Sequence, residues 1–387
     1  MVAIAAWLAA RQAEGTLRRL VGLDHLGHGR VRLTGTAGPM LLDFSSNDYL
    51  ALSEHPALIA AASEALRRYG TGAGAARLMS GNFPVHQELE AAVAALKGQE
   101  AALLFGSGYA ANVGTIAALV GRDDIIFTDR LNHASIYDGC RLAGARLARF
   151  RHNDLDHLEE LLASRRGKGT ALIVAESLYS MDGDRAPLRE LAGLKERHGC
   201  LLMVDEAHAT GVFGMGGGGI IEEEGLTGRV DLAMGTFGKA LGSYGAYVAA
   251  SRQMIDFLVN RARSFVFSTA LPPAVAAASL AAVRLIREEP GLRQELAALV
   301  ARFKECLRQG GIAADLGPSQ IIPLQVGEST AAVAVAERLR EHGLFVPAVR
   351  PPAVPEGTAR LRFSVTRHLS EADLKEAALA ICNVINP

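Results

Sequence analysis

The segment Leu201–His208 reads LLMVDEAH, and it decides the fold class. Four apolar residues follow one another without interruption and then give way to two carboxylates and a histidine. A short, continuously apolar run is typical of a parallel strand that is covered on both faces. Polar side chains that follow such a strand lie at its carboxyl end, where open α/β sheets bind their ligands.

Other parts of the chain repeat this pattern, because apolar runs alternate with helix-like segments such as Val85–Lys97 and Leu188–Arg197. The further runs are Asp124–Thr128, Ala171–Ala175 and Asp231–Met234. The alternation predicts an α/β domain with a mainly parallel central sheet. Longer helix-like stretches follow towards the C-terminus. We therefore predict an N-terminal arm over 1–40, a large α/β domain over 41–271 and a smaller α+β domain over 272–387.

The composition narrows the class of protein. The 387 residues include 40 Lys and Arg against 41 Asp and Glu, which argues against nucleic-acid and membrane partners. The four cysteines form no Cys-x-x-Cys pair, and no basic segment precedes the apolar N-terminus, so we expect a cytoplasmic enzyme without a metal site. Two uncharged stretches, Ala101–Gly121 and Ser264–Val283, are as long as a membrane-spanning helix. They contain glycine, proline or polar residues, so we predict that they form strand, loop and helix segments of a soluble protein.

Polar residues also follow the other predicted strands. Asp231–Met234 runs into Gly235-Thr-Phe-Gly-Lys239, and Lys239 is one of only six lysines in the chain. Ala171–Ala175 leads to Ser180-Met-Asp-Gly-Asp184, and Asp124–Thr128 leads to His133. Because the carboxyl ends of parallel strands meet at one edge of a sheet, these groups are candidates for one site.

Residues 205–208 are Asp-Glu-Ala-His, the acidic motif of DEAH-type NTPases. An NTPase of that type is therefore an alternative interpretation. That chemistry needs a Gly-x-x-x-x-Gly-Lys-Ser/Thr loop, and none of the six lysines fits one. The motifs of serine hydrolases and zinc proteases, Gly-x-Ser-x-Gly and His-Glu-x-x-His, are also missing from the sequence. The NTPase stays a remote alternative.

A carboxylate at 205, a histidine at 208 and a lysine at 239 suit pyridoxal 5'-phosphate (PLP) chemistry. That cofactor needs a lysine for a Schiff base and a carboxylate that keeps its pyridine nitrogen protonated. The run Gly106-Ser-Gly-Tyr-Ala110 opens a predicted helix, whose free N–H groups suit a phosphate. The combination predicts a PLP site.

Seven ordered blocks make the chain similar to a known family, the α-oxoamine synthases. They are Phe44–Leu50 (FSSNDYL), Gly106–Asn112 (GSGYAAN), Asn132–Ser135 (NHAS), Ser180–Asp184 (SMDGD), Val204–Gly211 (VDEAHATG), Thr236–Lys239 (TFGK) and Ser268–Pro273 (STALPP). The resemblance covers about Leu42 to Arg367. It implies a fold-type I, aspartate aminotransferase-like PLP transferase that condenses an amino acid with an acyl thioester and loses carbon dioxide. It also implies a homodimer with its active site at the subunit interface.

Within the family, the segment Val349–Arg362 (VRPPAVPEGTARLR) resembles the biotin-pathway branch. That resemblance implies L-alanine and a pimeloyl thioester as substrates, with coenzyme A or acyl carrier protein as the thiol. The glycine-using branches, which make 5-aminolevulinate or 2-amino-3-ketobutyrate, share the blocks and stay an alternative. Ala353 is a departure, because the biotin-pathway branch usually has threonine there.

The resemblance also implies roles for individual residues. Lys239 would hold PLP and act as acid and base, Asp205 would pair with the pyridine nitrogen, and His133 would stack on the ring. The other implied cofactor contacts are His208 and Ser180 near the phenolic oxygen, Gly108, Tyr109 and Thr236 at the phosphate, and Ser268 or Thr269 from a second subunit. The implied substrate contacts are Arg350 for the amino-acid carboxylate, Arg18 for the acyl group, and Asn47, His133 and Ala353.

Overall fold

A computed structural model describes residues 2–313 and 315–385. The strands are β1 Leu23–His25, β2 Arg30–Leu33, β3 Leu41–Asp43, β4 Ala101–Phe105, β5 Ile125–Asp129, β6 Arg146–Phe150, β7 Ala171–Glu176, β8 Leu201–Asp205, β9 Leu232–Thr236, β10 Ala246–Ala250, β11 Ile321–Gly327, β12 Leu344–Phe345, β13 Ala348–Val349 and β14 Ala359–Ser364. The helices are α1 Val2–Ala13, α2 Pro56–Tyr69, α3 Pro84–Lys97, α4 Gly108–Leu119, α5 Ala134–Ala143, α6 Leu155–Arg165, α7 Leu188–His198, α8 Ile220–Glu223, α9 Arg252–Arg261, α10 Arg263–Val266, α11 Pro273–Glu288, α12 Gly291–Gln309, α13 Ser329–Glu341 and α14 Glu371–Ile385.

The chain divides into two compact units. Unit 1 comprises Met1–Tyr49, Ser180–Asp184 and Gln294–Pro387, and unit 2 comprises Leu50–Tyr179 and Arg185–Arg293. The first residues group with the C-terminal part because β3 pairs with β12 in parallel, Leu42 opposite Leu344. This grouping differs from the predicted boundaries after residues 40 and 271, which stay a prediction.

Unit 2 is built on a sheet with the strand order β4-β10-β9-β8-β7-β5-β6. The strands from β9 to β6 pair in parallel, whereas β10 runs antiparallel to both of its neighbours. Each of the four apolar runs identified in the sequence forms one of the parallel strands. The prediction of an α/β fold with a mainly parallel sheet is therefore confirmed.

The four parallel strands that the apolar runs predicted are buried along almost their whole length, whereas the edge strand β6 is largely exposed. Every residue of β5 and β7 is buried, including Ile126, Leu172 and Val174. These side chains pack with helix residues such as Ile116 and Ile136 in one hydrophobic cluster. Helices thus cover these four strands, whose charged side chains lie at the strand ends.

The two uncharged stretches also form the predicted kinds of element. Ala101–Gly121 contains β4 and α4, and Ser264–Val283 contains most of α10 and the start of α11. Within the described ranges, no helix has both the length and the apolar character that crossing a membrane requires.

Unit 1 contains two small sheets with the orders β1-β2-β3-β12 and β11-β14-β13. The second sheet is antiparallel throughout. The rings of Phe44 and Phe303 stack with their centroids 5.4 Å apart, and Phe363 of β14 meets both rings. This aromatic cluster joins the N-terminal segment to α12 and β14 inside the unit.

Strand register in unit 2 brings the carboxyl ends together. Glu176 at the end of β7 lies opposite Asp205 at the end of β8, and Asp205 lies opposite Met234 of β9. Thr236 ends β9 two residues later. The edge that carries these residues is where the sequence places its candidate groups.

Candidate active site

Lys239 lies in the turn that follows β9. Its backbone carbonyl accepts a hydrogen bond from the Gly242 amide at 2.9 Å, which closes the turn. Gly242 has a φ of +58°, and a Cβ there would lie 2.3 Å from the Ser53 nitrogen, so the turn requires glycine. The Lys239 amine lies 2.8 Å from Nε2 of His208. The structure thus brings together Lys239 and His208, which the sequence predicted as residues of one site.

Asp205 is buried at the end of β8 and accepts two hydrogen bonds. Its Oδ1 accepts from the Ala207 amide and its Oδ2 from Nδ2 of Asn112, both at 2.9 Å. Asn112 also donates to Oγ of Ser135 at 2.9 Å, and no described atom pairs with its own buried Oδ1. Sequence reasoning did not give Asn112 a role, although it lies one helical turn after Gly108 in a family block.

His133 joins the same group from the N-terminus of α5. Its ring Nδ1 lies 2.8 Å from Oγ of Ser135, and its backbone amide donates to Oε1 of Glu176 at 2.5 Å. Burial lowers the pKa of His133, while the Asp205 carboxylate opposes the shift and the Lys239 ammonium adds to it. Hydrogen bonds through Ser135 and Asn112 link His133 to Asp205.

Glu176 is a site residue that the sequence reasoning missed. It is buried at the end of β7, where burial and the neighbouring Asp205 charge raise its pKa well above the usual range. Burial and a neighbouring carboxylate both disfavour the ionised form of Glu176. Its position directly after the run Ala171–Ala175 is the signal that could have found it.

The N-terminus of α4 offers free amides with space around them. Ser107 caps the helix, because its Oγ accepts from the Ala110 amide at 3.1 Å. A Cβ at Gly106 would meet no atom within 4 Å, and one at Gly108 would meet only Met234 Cε at 3.9 Å. Tyr109 follows and donates its hydroxyl to Asp138 at 2.8 Å. The helix end suits a bound anion.

Thr236 is the last residue of β9 and precedes Lys239 by three residues. Its hydroxyl donates to the Gly245 carbonyl at 2.8 Å and accepts from the Gly238 amide at 3.1 Å. Ser268 and Thr269 lie elsewhere in unit 2 and are exposed. Thr269 forms an antiparallel bridge with Ala76.

The remaining predicted residues belong to unit 1, where they form two groups. Arg362 organises the first, because it donates to the Ser180 carbonyl at 2.5 Å and to Oδ1 of Asn47 at 3.1 Å. Arg362 is buried and also bonds Ser364 at 2.9 Å and the Tyr49 hydroxyl at 3.2 Å. It was not singled out in the sequence, although it ends the block Val349–Arg362.

Arg18, Arg350 and Ala353 form the second group. Arg350 donates to the Gly15 carbonyl at 2.5 Å, and Arg18 donates to the Pro351 carbonyl at 3.4 Å. The Ala353 amide donates to the Arg350 carbonyl at 3.1 Å. Burial and the nearby Arg18 charge lower the pKa of Arg350. Two guanidinium groups held this close suit an anionic ligand.

Comparison with known proteins decides the family. The sequence model of the aminotransferase class I and II family matches residues 39–381. The chain belongs to this family. A curated relative, the 8-amino-7-oxononanoate synthase of Geobacter sulfurreducens, is 52% identical over 341 residues, which cover 88% of this chain and 87% of the relative.

Solved structures of family members have the same fold. Serine palmitoyltransferase from S. paucimobilis, solved with bound PLP, superposes with a TM-score of 0.92 at 29% identity and covers 99% of this chain and 97% of its own. The 8-amino-7-oxononanoate synthase of Francisella tularensis superposes with a TM-score of 0.75 at 28% identity, covering 89% and 98%. The predicted fold-type I PLP transferase fold is confirmed.

The side chains of unit 2 fit PLP. Lys239 supplies an amine for the aldehyde, and Asp205 supplies a buried carboxylate for the pyridine nitrogen. The N-terminus of α4 supplies amides for the phosphate, with the open space at Gly106 beside them. The donor set therefore matches the three polar ends of the cofactor.

Proposed function

We propose that this chain is a PLP-dependent acyltransferase that makes 8-amino-7-oxononanoate for biotin synthesis. L-Alanine would form a carbon–carbon bond to the acyl carbon of a pimeloyl thioester, with release of the thiol and carbon dioxide. The observation that carries the proposal is the Lys239 amine at 2.8 Å from His208, in a chain 52% identical to a relative of that name. PLP supplies an electron sink for the charge that develops at the alanine α-carbon.

The residues of unit 2 would handle the proton chemistry. Lys239 would hold the cofactor and then move the alanine α-proton, with His208 at its amine. Asp205, kept in place by Asn112, would hold the proton on the pyridine nitrogen. His133 would stack against the ring, and the low pKa of its imidazole favours the neutral form there.

Phosphate binding would use Gly108, Tyr109 and Thr236, together with Ser268 or Thr269 of a second subunit. The homodimer that this requires is supported by apolar side chains exposed beside the bridge between Ala76 and Thr269. They are Phe267 at 71% exposure, Met79 at 78% and Leu78 at 53%. We also propose that the protein is cytoplasmic.

Substrate binding would fall to residues of unit 1. Arg350 would bind the alanine carboxylate with two parallel hydrogen bonds, and Arg18 would meet the acyl substrate. Asn47 and Ala353 would line the substrate site, and Ser180 would reach the phenolic oxygen.

The reaction can be tested by following thiol release. Purified protein would be supplied with alanine or glycine, and with pimeloyl, acetyl or succinyl coenzyme A or pimeloyl acyl carrier protein. We expect alanine with a pimeloyl donor to react fastest and to yield 8-amino-7-oxononanoate by mass spectrometry. Faster reaction of glycine with an acetyl or succinyl donor would make the chain a glycine-using family member instead.

Arg350→Lys tests the carboxylate contact, because an ammonium cannot copy the planar fork of arginine. The variant should raise the KM for alanine and slow condensation while the protein stays yellow. Arg340→Lys on α13 is the matched control. Equal KM values for the two variants would remove Arg350 from the proposed site.

The alternative interpretation of the chain as a DEAH-type NTPase is not supported. Residues 205–208 lie inside the family match over 39–381, and the 205 and 208 side chains contact Asn112 and Lys239. A colourless protein that hydrolyses ATP would revive it.

A further inference from the structure

Unit 2 contains a buried ion pair that lies outside the proposed PLP contacts. Nζ of Lys97, at the end of α3, lies 2.5 Å from Oε2 of Glu206, and the two side chains are only 1% and 0% exposed. Lys97 also donates to the Gly218 carbonyl at 2.5 Å and to Oγ1 of Thr210 at 3.3 Å. Charges are almost never buried this deeply unless they are paired and hydrogen-bonded.

Glu206 sits inside the turn Asp205–His208. Its backbone amide donates to the Met234 carbonyl of β9 at 2.8 Å, and its own carbonyl accepts from the Thr210 amide at 2.9 Å. Its Oε1 accepts from the Ile221 amide at 3.0 Å. One residue therefore ties the turn to β9 and to α8, and through its carboxylate to α3.

The glycine-rich segment before α8 wraps around this carboxylate. Gly219 has a φ of +105°, and a Cβ there would lie 2.6 Å from both carboxylate oxygens of Glu206. The adjacent Gly218 supplies the carbonyl that Lys97 binds. The backbone thus approaches the pair as closely as glycine allows, which leaves the carboxylate little freedom to move.

The surroundings of Lys97 favour its charged form. Burial opposes the charge on Lys97, but the Glu206 carboxylate and the Tyr247 hydroxyl together raise the pKa of Lys97 above its usual value. The Tyr247 hydroxyl also bonds Oγ1 of Thr210 at 2.9 Å. The network is closed by hydrogen bonds on both partners.

We infer that Lys97 and Glu206 are positioning residues that hold the turn Asp205–His208, so that His208 stays within hydrogen-bond distance of Lys239. Asp205 precedes Glu206 directly, and His208 follows it by two residues, so a shift of the anchored carboxylate would move both. The inference rests on the proposed function, because it assigns the turn to PLP chemistry.

The first variant is Lys97→Met in the PLP-loaded enzyme, with Lys304→Met as the matched control. Lys304 is also buried, but it lies in unit 1 and donates to the Gly317 carbonyl at 2.7 Å. The readouts are the visible band of bound PLP, the pH midpoint of that band, and kcat and KM for alanine. Misplacement by about 1 Å can cost about 10²-fold in rate, so we expect Lys97→Met to lose up to that factor in kcat with a displaced pH midpoint. Lys304→Met should keep the parent's kcat and pH midpoint.

The double variant Lys97→Met/Glu206→Gln separates positioning from stability. It leaves no unpaired buried charge, so its melting temperature should recover relative to Lys97→Met. The pH midpoint should stay displaced, because the charged anchor is gone. Recovery of both the melting temperature and the parent's pH midpoint would overturn the inference, as would a parental midpoint and kcat in Lys97→Met. The double variant also carries the test if Lys97→Met does not fold.

The parent enzyme keeps the two proposals distinguishable. A parent that shows no visible band refutes the PLP function itself, whatever the variants do. A yellow parent with a different amino acid or acyl donor changes the proposed substrates, while the pH midpoint still tests the anchor.

Discussion

Two lysines of unit 2 lie on either side of the same turn and have opposite surroundings. Lys239 is half-buried in a glycine turn, and its amine contacts an imidazole. Lys97 is fully buried, and its amine contacts a carboxylate, a carbonyl and a hydroxyl. Asp205 and Glu206 are neighbours in the chain, yet Asp205 bonds Asn112 and Glu206 bonds Lys97.

The difference shows that the partner decides what a lysine can do. A carboxylate in a buried pair stabilises the ammonium form and prevents it from acting as a nucleophile. An imidazole bonds the amine without neutralising it and can exchange a proton with it. Reactivity therefore belongs to the region around Lys239, and rigidity belongs to the region around Lys97.

Lys239→Ala should break the reactive region with the largest effect. Removal of the amine should lower the condensation rate by about 10⁴-fold, at the upper end for a group that transfers protons. Borohydride reduction of the parent should fix PLP on the peptide that contains Lys239, and Lys97→Met should be labelled at the same peptide. Label on a peptide that contains Lys97 would show that Lys97, and not Lys239, is the reactive lysine.

Lys97→Met should break the rigid region and lower stability in addition to its effect on kcat. An uncompensated buried carboxylate costs about 3–5 kcal/mol, so the free energy of unfolding measured with denaturant should fall by that amount. Lys168→Met removes an exposed lysine and should change it by less than about 0.5 kcal/mol. A loss as small as that of the control would show that the pair contributes no stability.

Asp205→Asn sharpens the contrast between the adjacent carboxylates. The amide keeps the shape of the side chain but removes the charge that holds the pyridine proton. The exchange of the alanine α-proton in deuterated water should slow by about 10²–10³-fold. Asp231→Asn, which changes a carboxylate just before β9, should exchange at the parent's rate. Equal rates in the two variants would exclude Asp205 as the partner of the pyridine nitrogen.

Glu176→Gln should have the smallest effect on activity. Burial and Asp205 raise the pKa of Glu176 and so favour its neutral form. Glutamine resembles that form and can still accept from the His133 amide. We expect condensation at neutral pH within about threefold of the parent, well below the factors that mark a catalytic group. A loss of 10²-fold would show that Glu176 works in its ionised form.

The same carboxyl makes stability depend on pH. A raised pKa in the folded protein means that the folded state keeps a proton which the unfolded state releases near pH 4.3. The parent's free energy of unfolding should therefore fall by up to about 1.4 kcal/mol per pH unit between that value and the raised pKa, and level off above it. Glu176→Gln should lack this component in denaturant unfolding measured across the range.

The fold of unit 2 was largely predictable because four of its five parallel strands are almost continuously apolar. The fifth, the edge strand β6 (RLARF), was not predicted because charged residues interrupt it. The four apolar runs became β5, β7, β8 and β9, and their carboxyl ends carry Glu176, Asp205 and Thr236. The antiparallel strand β10 was missed because Ala246–Ala250 (AYVAA) has neither alternation nor a β-branched run. Its direction depends on pairing with β4 and β9, which are far apart in the chain.

The amino-acid sequence limited which groups could carry the chemistry. Only six lysines were available, and the one at 239 follows a strand end in a glycine turn. Strand ends share an edge, so Asp205, His208 and Lys239 could be brought together without coordinates. The tertiary structure alone decided the partners across the fold. Lys97 closes a helix that reads as amphipathic, where a basic residue usually faces solvent, and only the packing of α3 against the turn buries it on Glu206. Burial and pairing depend on which distant segments meet, and a linear pattern does not contain that information.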